Sequence, residues 1–379
     1  MRLQSVKYTE WEGTPQEWKL EGISLSDINL LVGKNATGKS RVLNIISGLA
    51  RQLAGLTPLP ISGNYDVQFF DNGEILRYQL KYDEGQVIAE SFSVGSRVLL
   101  DRWLGGEGRI WADEIDGGKE IRFQTPPNEI AAVVRRDVIQ HKFLERLYTW
   151  GSSLRHYYFG TYLGKDRLAV LMEKGGAKLD EMDTNDVVPL YGKAEKEFGE
   201  DFKQAVISDM GQVGYDIEDI RLQSPISIRV LTNFPGEVVG ISVKERDLAG
   251  ITDQNTISQG MFRALSILIH INYSQLTKKP TCILIDDIGE GLDFDRSCRL
   301  IDLLREKAKA SGVQLVLSTN DRFVMNRVPL EEWSVLQRQA STVRVLNYDN
   351  SRELFEEFKF TGLSNFSFLE MDFASSPPA

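Results

Sequence analysis

Residues 33–40 read Gly33-Lys34-Asn35-Ala36-Thr37-Gly38-Lys39-Ser40, and no other stretch restricts the fold of this chain so strongly. They fit G-x-x-x-x-G-K-[ST], a loop whose glycines let backbone N–H groups turn inward around phosphate oxygens. The flanks are those the loop needs. Ile28, Leu30, Leu31 and Val32 make a short apolar run that predicts a buried strand, and Val42, Leu43, Ile45, Ile46 and Leu49 recur at helical spacing. A chance glycine-rich turn would have to acquire both flanks by accident. A phosphate held there would meet the positive end of the helix, with Lys39 on the β- and γ-phosphates and the Ser40 hydroxyl on Mg²⁺. The expected fold class is α/β, with a nucleotide site at this strand–loop–helix junction.

Charge narrows the partners. The 379 residues carry a net charge of −10, so contact with nucleic acid would need a local basic patch rather than bulk charge. Cys282 and Cys298 cannot build a secretory disulfide framework, and His141, His156 and His270 lack zinc-ligand spacing. Met1-Arg2-Leu3-Gln4-Ser5 has no apolar signal region, and no apolar run approaches the roughly 20 residues of a membrane span. A cytoplasmic location without a membrane partner is expected.

Strands are expected at 3–8 and 18–25, leading into the loop strand. Trp11 and Trp18 beside them either flank an adenine ring or belong to the core. Short runs at 66–70, 75–82, 86–92, 97–103, 109–112 and 120–124, separated by glycine turns, predict an antiparallel meander. Alternation of Arg77, Gln79 and Lys81 with Leu76, Tyr78, Leu80 and Tyr82 gives it one solvated face. After Pro126-Pro127, residues 129–160 are expected to be helical. They carry Arg135, Arg136, Lys142, Arg146 and Arg155, either a solvated face or a patch for DNA, a phage component or an acidic partner. A loop is expected over 173–192, then an amphipathic helix with Phe198, Phe202, Val206 and Met210, and a hairpin from 226–231 and 238–243. The chain ends with a hairpin at 333–348, a helix from Ser351 and a tail holding Phe355, Phe358, Phe360, Phe366, Phe368 and Phe373. That tail docks on the chain's own sheet or in an interface.

Thr281-Cys282-Ile283-Leu284-Ile285-Asp286-Asp287 predicts an apolar strand ending in two carboxylates. Asp286 can bind Mg²⁺ opposite Ser40, and Asp287 can orient or deprotonate an attacking water. The run from Asp286 through Ile288, Gly289, Glu290, Gly291 and Leu292 to Asp293 resembles the Walker B and D-loop of ABC-type ATPases. Ile257-Ser258-Gln259-Gly260-Met261 resembles their signature, and Leu317-Ser318-Thr319-Asn320-Asp321 their switch. With 33–40 as Walker A, these stand in family order. The chain is thus similar to soluble ABC-type ATPases of the RecF/SMC/OLD branch, well over 20–50 and 255–325.

The resemblance implies a P-loop NTPase with an ABC-ATPase-like head, an antiparallel meander in the N-terminal lobe and a helical insertion. The division is 1–125, 126–224 and 225–379. It implies ATP and Mg²⁺, held by residues 33–40 and Arg41, with Ser40 and Asp286 on the metal. It further implies a head-to-head dimer or higher homo-oligomer, in which Ser258, Gln259, Gly260 and Asp293 complete the site of another copy. Ser258 could equally serve as a helix N-cap. The family's metal- and γ-phosphate-sensing glutamine should lie in the middle region, where Gln140 and Gln124 are candidates.

Two departures bear on catalysis. Asp287 stands where the family usually has glutamate. Asn320 stands where it usually has histidine, and an amide cannot accept a proton near neutral pH. With Glu290 as the spare carboxylate, Asp287, Glu290 and Asn320 form the expected catalytic set, and hydrolysis should be slow. The resemblance extends to ATPase subunits of prokaryotic anti-phage defence systems, which implies a switch controlling a separate effector protein. No nuclease motif appears in the sequence. The alternative is a RecF-like DNA repair ATPase that clamps DNA; a binding module with a degenerate site conflicts with intact Lys39, Ser40 and Asp286.

Overall fold

The computed structural model describes residues 1–113, 117–171, 179–228, 236–277 and 282–373. Two compact units divide the chain. The first joins Met1–Leu154 to Val328–Ala379, and the second is Arg155–Arg327.

In the first unit the described strands run, in spatial order, Ile28–Val32, Trp333–Gln339, Thr342–Asn347, Trp18–Ser24, Arg2–Glu10, Ser62–Asp71, Glu74–Asp83, Gln86–Val94, Arg97–Trp103, Glu107–Ala112 and Lys119–Gln124. The sheet is mixed. Trp333–Gln339 lies parallel to Ile28–Val32, Thr342–Asn347 lies parallel to Trp18–Ser24, and the meander is antiparallel. The six meander strands form where alternation requires them, with Leu76, Tyr78, Leu80 and Tyr82 buried and Arg77 exposed. Helix Lys39–Leu53 follows the loop strand and buries Val42, Leu43, Ile46 and Leu49. A buried ion pair pins the segment after the meander. The Glu90 carboxylate accepts the Ala131 and Ala132 N–H groups at 2.8 Å each and the Tyr78 hydroxyl at 3.0 Å, while Arg102 Nη2 donates to Pro126 O at 2.9 Å. The aromatic tail docks on its own unit: Phe355, Phe358 and Phe368 are buried, and Phe368 meets Trp333 edge-on at 6.5 Å. Phe360 is left 91% exposed.

The second unit holds three parallel strands in the order Arg155–Tyr158, Cys282–Asp286, Gln314–Ser318. The latter two are buried along their whole length, as parallel strands covered on both faces must be. Helix Gln259–Leu276 is buried from Gly260 to Tyr273, and helix Phe294–Ser311 buries one stripe. A smaller antiparallel sheet orders Ala169–Leu171, Glu237–Glu245 and Ile217–Gln223. No helix among the described residues is long and apolar enough to cross a membrane.

Two expectations are corrected and a third lies partly outside the described residues. The expected helix over 129–160 resolves into Ala131–Val134, Lys142–Ser153 and the strand Arg155–Tyr158. Helical periodicity runs up to a four-residue strand too short to show a period of its own. Of the expected loop over 173–192, residues 173–178 lie outside the described residues, and the rest is cut short by helix Val187–Val213, which breaks at Gly199 (φ 57). For the expected hairpin, 229–235 lie outside the described residues, and Glu237–Glu245 pairs with Ile217–Gln223 and Ala169–Leu171.

Candidate functional site

The phosphate end lies in the first unit. Ile28–Val32 is buried throughout and delivers its carboxyl end to Gly33. A Cβ at Gly33 (φ 155) would lie 2.8 Å from Leu336 O and 2.9 Å from Thr37 Oγ1, so glycine is required there. Thr37 Oγ1 donates to Lys34 O at 2.9 Å, closing the loop on itself. Lys39 is buried and donates from Nζ to Gly33 O at 2.8 Å, folded back across the loop. A phosphate in the loop could take that ammonium as its partner. Ser40 is exposed at the helix start beside exposed Asn35 and Ala36, and Lys34 pairs with Asp372 at 3.2 Å.

Other expected contacts point elsewhere. Arg41 pairs with Glu10 and lies 4.4 Å over the Trp18 ring. Trp18 is 2% exposed beneath Gly38, a core residue with no face for adenine, whereas Trp11 stays exposed in the first hairpin turn. Neither candidate glutamine is brought to the loop. Gln124 ends the strand at the opposite edge of this unit's sheet from Ile28–Val32, and the Gln140 carbonyl accepts the Asp113 N–H next to that edge. The strand order of the meander carries both away, so Gln140 is corrected as a metal ligand. The basic stretch is largely paired. Arg136 meets Glu145 at 3.2 Å, Arg146 meets Asp71 at 2.8 Å and Glu74 at 2.9 Å, and Arg155 meets Glu181 at 3.7 Å.

The carboxylate end lies in the second unit. Asp286, 8% exposed, ends its strand and accepts the Ser318 hydroxyl on Oδ1. The same hydroxyl accepts the Asp287 N–H at 2.9 Å, and the Ile288 N–H reaches Ser318 O at 2.9 Å. Asp287 is left-handed (φ 55), a conformation unusual outside glycine, and it turns its carboxylate toward the switch. There Asn320 Nδ2 donates to Asp287 Oδ1 at 3.1 Å. Two residues 33 positions apart are therefore joined at the strand ends. The Glu290 carboxylate lies over Gly160, where a Cβ would come within 2.4 Å of its Oε2.

Ser258 and Asp293 both serve as helix N-caps. Ser258 accepts the Met261 N–H at 3.3 Å, and Asp293 accepts the Arg296 N–H at 3.0 Å. That N–H and the Arg296 guanidinium hold the Asp293 carboxyl below its usual range. Ser258 remains exposed, Gln259 is half-buried and Gly260 is buried.

Strand Arg155–Tyr158 and the turn after it escaped the sequence reading. Tyr158 is in register with Asp286, and the Phe159 N–H donates to Asp286 O at 2.9 Å. Arg263 was also missed. The usable signal was Tyr157-Tyr158-Phe159-Gly160, an aromatic run closed by glycine. Just behind these carboxylates, burial lowers His156 to about 4 and His270 to about 3.

No protein-family model matches the chain, nor does any curated protein. An SMC head bound to the C-winged helix domain of ScpA is similar, with a TM-score of 0.54 and 14% identity over 91% of this chain and 98% of that one. The SMC head domain from Thermotoga maritima has a TM-score of 0.44 at 14% identity (92% and 99% covered). The Pyrococcus furiosus head with an extended coiled coil, bound to the C-terminal domain of ScpA, has 0.47 at 13% (94% and 99%). Only the first is similar enough to carry weight, and at that identity it establishes the fold alone. The fold is an α/β architecture with a large mixed sheet, like that of SMC heads, which are ABC-type P-loop ATPase heads.

Proposed function

We propose that this chain is an ATP-binding switch with slow hydrolysis, working as a head-to-head dimer or higher homo-oligomer. Residues 33–40 hold the triphosphate, and Ser40 and Asp286 hold Mg²⁺; bound there, the metal would neutralise charge on the β- and γ-phosphates. Lys39 leaves Gly33 O for the phosphates. Asp287 orients water, Asn320 fixes the Asp287 carboxylate, and Ser258, Gln259 and Gly260 of a second copy complete the site. In this reading 1–125 and 225–379 carry the nucleotide apparatus, and 126–224 is the insertion between them.

The observation that carries the reading is the hydrogen bond between Asn320 and Asp287. A carboxylate beside the strand-end aspartate is steered by a group that cannot relay a proton, which suits a long-lived ATP state. We extend the reading to a defence switch that holds or releases a separate effector protein. The internally paired basic stretch gives the DNA-clamp alternative little support, and salt-dependent DNA binding that strengthens with ATP would revive it.

Single-turnover hydrolysis tests the core of the proposal. Asp287→Ala should retain ATP and lower the rate about a hundredfold from an already slow value. Fast wild-type turnover would remove the slow-switch reading, and loss confined to Glu290→Ala would reassign the water-orienting group.

A further inference from the structure

Arg263 lies one turn into the helix that Ser258 caps, is 8% exposed, and directs its whole guanidinium at backbone. Nε donates to Thr161 O at 2.9 Å, Nη2 to Gly160 O at 2.8 Å, and Nη1 to Glu290 O at 2.8 Å. One side chain therefore ties three segments together: the helix behind Ser258, the turn after the strand beside Asp286, and the loop leaving Asp287. Neighbours fit the same purpose. Gln259 Nε2 also donates to Thr161 O, at 3.1 Å. Gly291 (φ 78) leaves room for the fork, since a Cβ there would lie 2.5 Å from Arg263 Nη1. The Glu290 carboxylate over Gly160 supplies negative charge next to the buried cation.

Structural need alone does not call for this arrangement. Burying an arginine carries a large desolvation penalty, and holding two loops could be done by apolar packing. What a planar fork adds is fixed direction: three carbonyls on two separate segments, Gly160 and Thr161 on one and Glu290 on the other, can be satisfied together in only one relative placement. The fork's own helix carries Ser258, and the segments it holds adjoin Asp286 and Asp287.

We infer that Arg263 is a positioning residue that locks the Ser258 helix to the Asp286–Asp287 strand end, so that docking of a second copy on Ser258 and alignment of water at Asp287 occur as one event. This deepens the switch reading and rests on it. All three Arg263 guanidinium nitrogens donate to backbone carbonyls, so the role inferred for it is exerted through the segments it holds.

The test compares Arg263→Ala, Arg263→Lys and Gly291→Ala in the full chain, the last pushing the fork aside without removing it. ATP affinity, read with a fluorescent analogue, should stay within about twofold, while single-turnover hydrolysis and ATP-driven dimerisation fall about a hundredfold, the usual cost of an ångström-scale misplacement. Millimolar guanidinium should restore Arg263→Ala but not Gly291→Ala, and Arg263→Lys should stay defective for want of the fork. Hydrogen exchange gives a readout independent of activity. Amides of 160–162 and 290–292 should lose protection together in Arg263→Ala. Unchanged exchange there, wild-type turnover, or a rate that falls only in step with ATP affinity would each overturn the inference. An inactive, monomeric wild type with the coupled exchange change would instead remove the switch reading and leave the lock standing.

Discussion

The loop at 33–40 and the carboxylates at 286–287 are made rigid by different means. The loop is shaped by backbone: Gly33 under Leu336 O, Thr37 closing on Lys34 O, and Lys39 resting on Gly33 O. The carboxylate end is shaped by side chains from distant sequence, namely Ser318, Asn320 and Arg263. Both units bury side-chain polar atoms without a hydrogen-bond partner among the described residues, but only in the second do these include imidazoles, which titrate near neutral pH. In the first, Glu90 and Arg102 are fully buried and meet each other and backbone, with Arg102 Nε left without a partner among the described residues. In the second, both ring nitrogens of His156 and the Nε2 of His270 are buried without a hydrogen-bond partner. A backbone-built site tolerates change at most positions and fails at one or two. A side-chain-built site should degrade in steps.

The largest expected effect tests the first half of that contrast. Lys39→Ala removes the loop's ammonium and should abolish ATP binding in a direct titration, together with any ATP-dependent assembly. ATP binding close to wild type would mean that the loop is not the nucleotide site.

Next comes the buried ion pair of the first unit. Arg102→Ala leaves the Glu90 carboxylate buried beside an empty space, and the expected loss is about 3–5 kcal/mol in chemical denaturation. Burial pushes the Glu90 carboxyl up, and the Ala131 and Ala132 N–H groups oppose this, so the pair matters for folding rather than chemistry. A loss below 1 kcal/mol would show that the segment after the meander is held by packing instead.

The second unit should respond to acid. Burial depresses His156 to about 4 and His270 to about 3, against an ordinary value of 6.5. A depressed histidine prefers the neutral form when folded, so stability is full above the unfolded pKa and is lost as pH falls through the interval below 6.5. At pH 5 the expected loss is about 2 kcal/mol for each histidine. Glu90, whose carboxyl burial pushes up, favours the folded state as pH falls and so does not add to this loss. Hydrogen exchange at pH 7 and pH 5 should show amides of Arg155–Arg327 losing protection, and His156→Phe should halve the change. Equal loss in both units would erase the contrast.

The same division explains what could be read from sequence. The glycine loop, the strand ending at Asp286 and the meander are local patterns, and each was legible. Phe355, Phe358 and Phe368 announced burial without saying against what, and packing on Trp333 supplied the answer. Arg155–Tyr158 was illegible because four residues show no period, and its strand character comes from pairing with Cys282–Asp286, more than a hundred positions away. Gln140 was misassigned for a related reason, since residue type suggested a ligand while strand order decided what it could touch, and the choice left open for Trp18 between adenine and core was decided by its burial.

The smallest effect is the most discriminating, because it isolates one hydrogen bond at the carboxylate end. Asn320→Ala removes the donor on Asp287 Oδ1 but leaves Ser318 holding the Asp287 N–H, so the left-handed turn should persist while the carboxylate gains freedom. Asn320 is exposed and Asp287 half-buried, so the bond belongs at the low end of those made to charged groups, about 1.4 kcal/mol, or roughly a tenfold fall in single-turnover rate at unchanged ATP affinity. Asn320→His separates orientation from proton relay. If Asn320 only steers Asp287, histidine should match wild type with no new pH dependence. If the amide is the reason hydrolysis is slow, histidine should raise the rate above wild type with an inflection near neutral pH. A brake at Asn320 requires the second outcome, and a flat pH profile at wild-type rate would place the brake at the shortened Asp287 side chain instead.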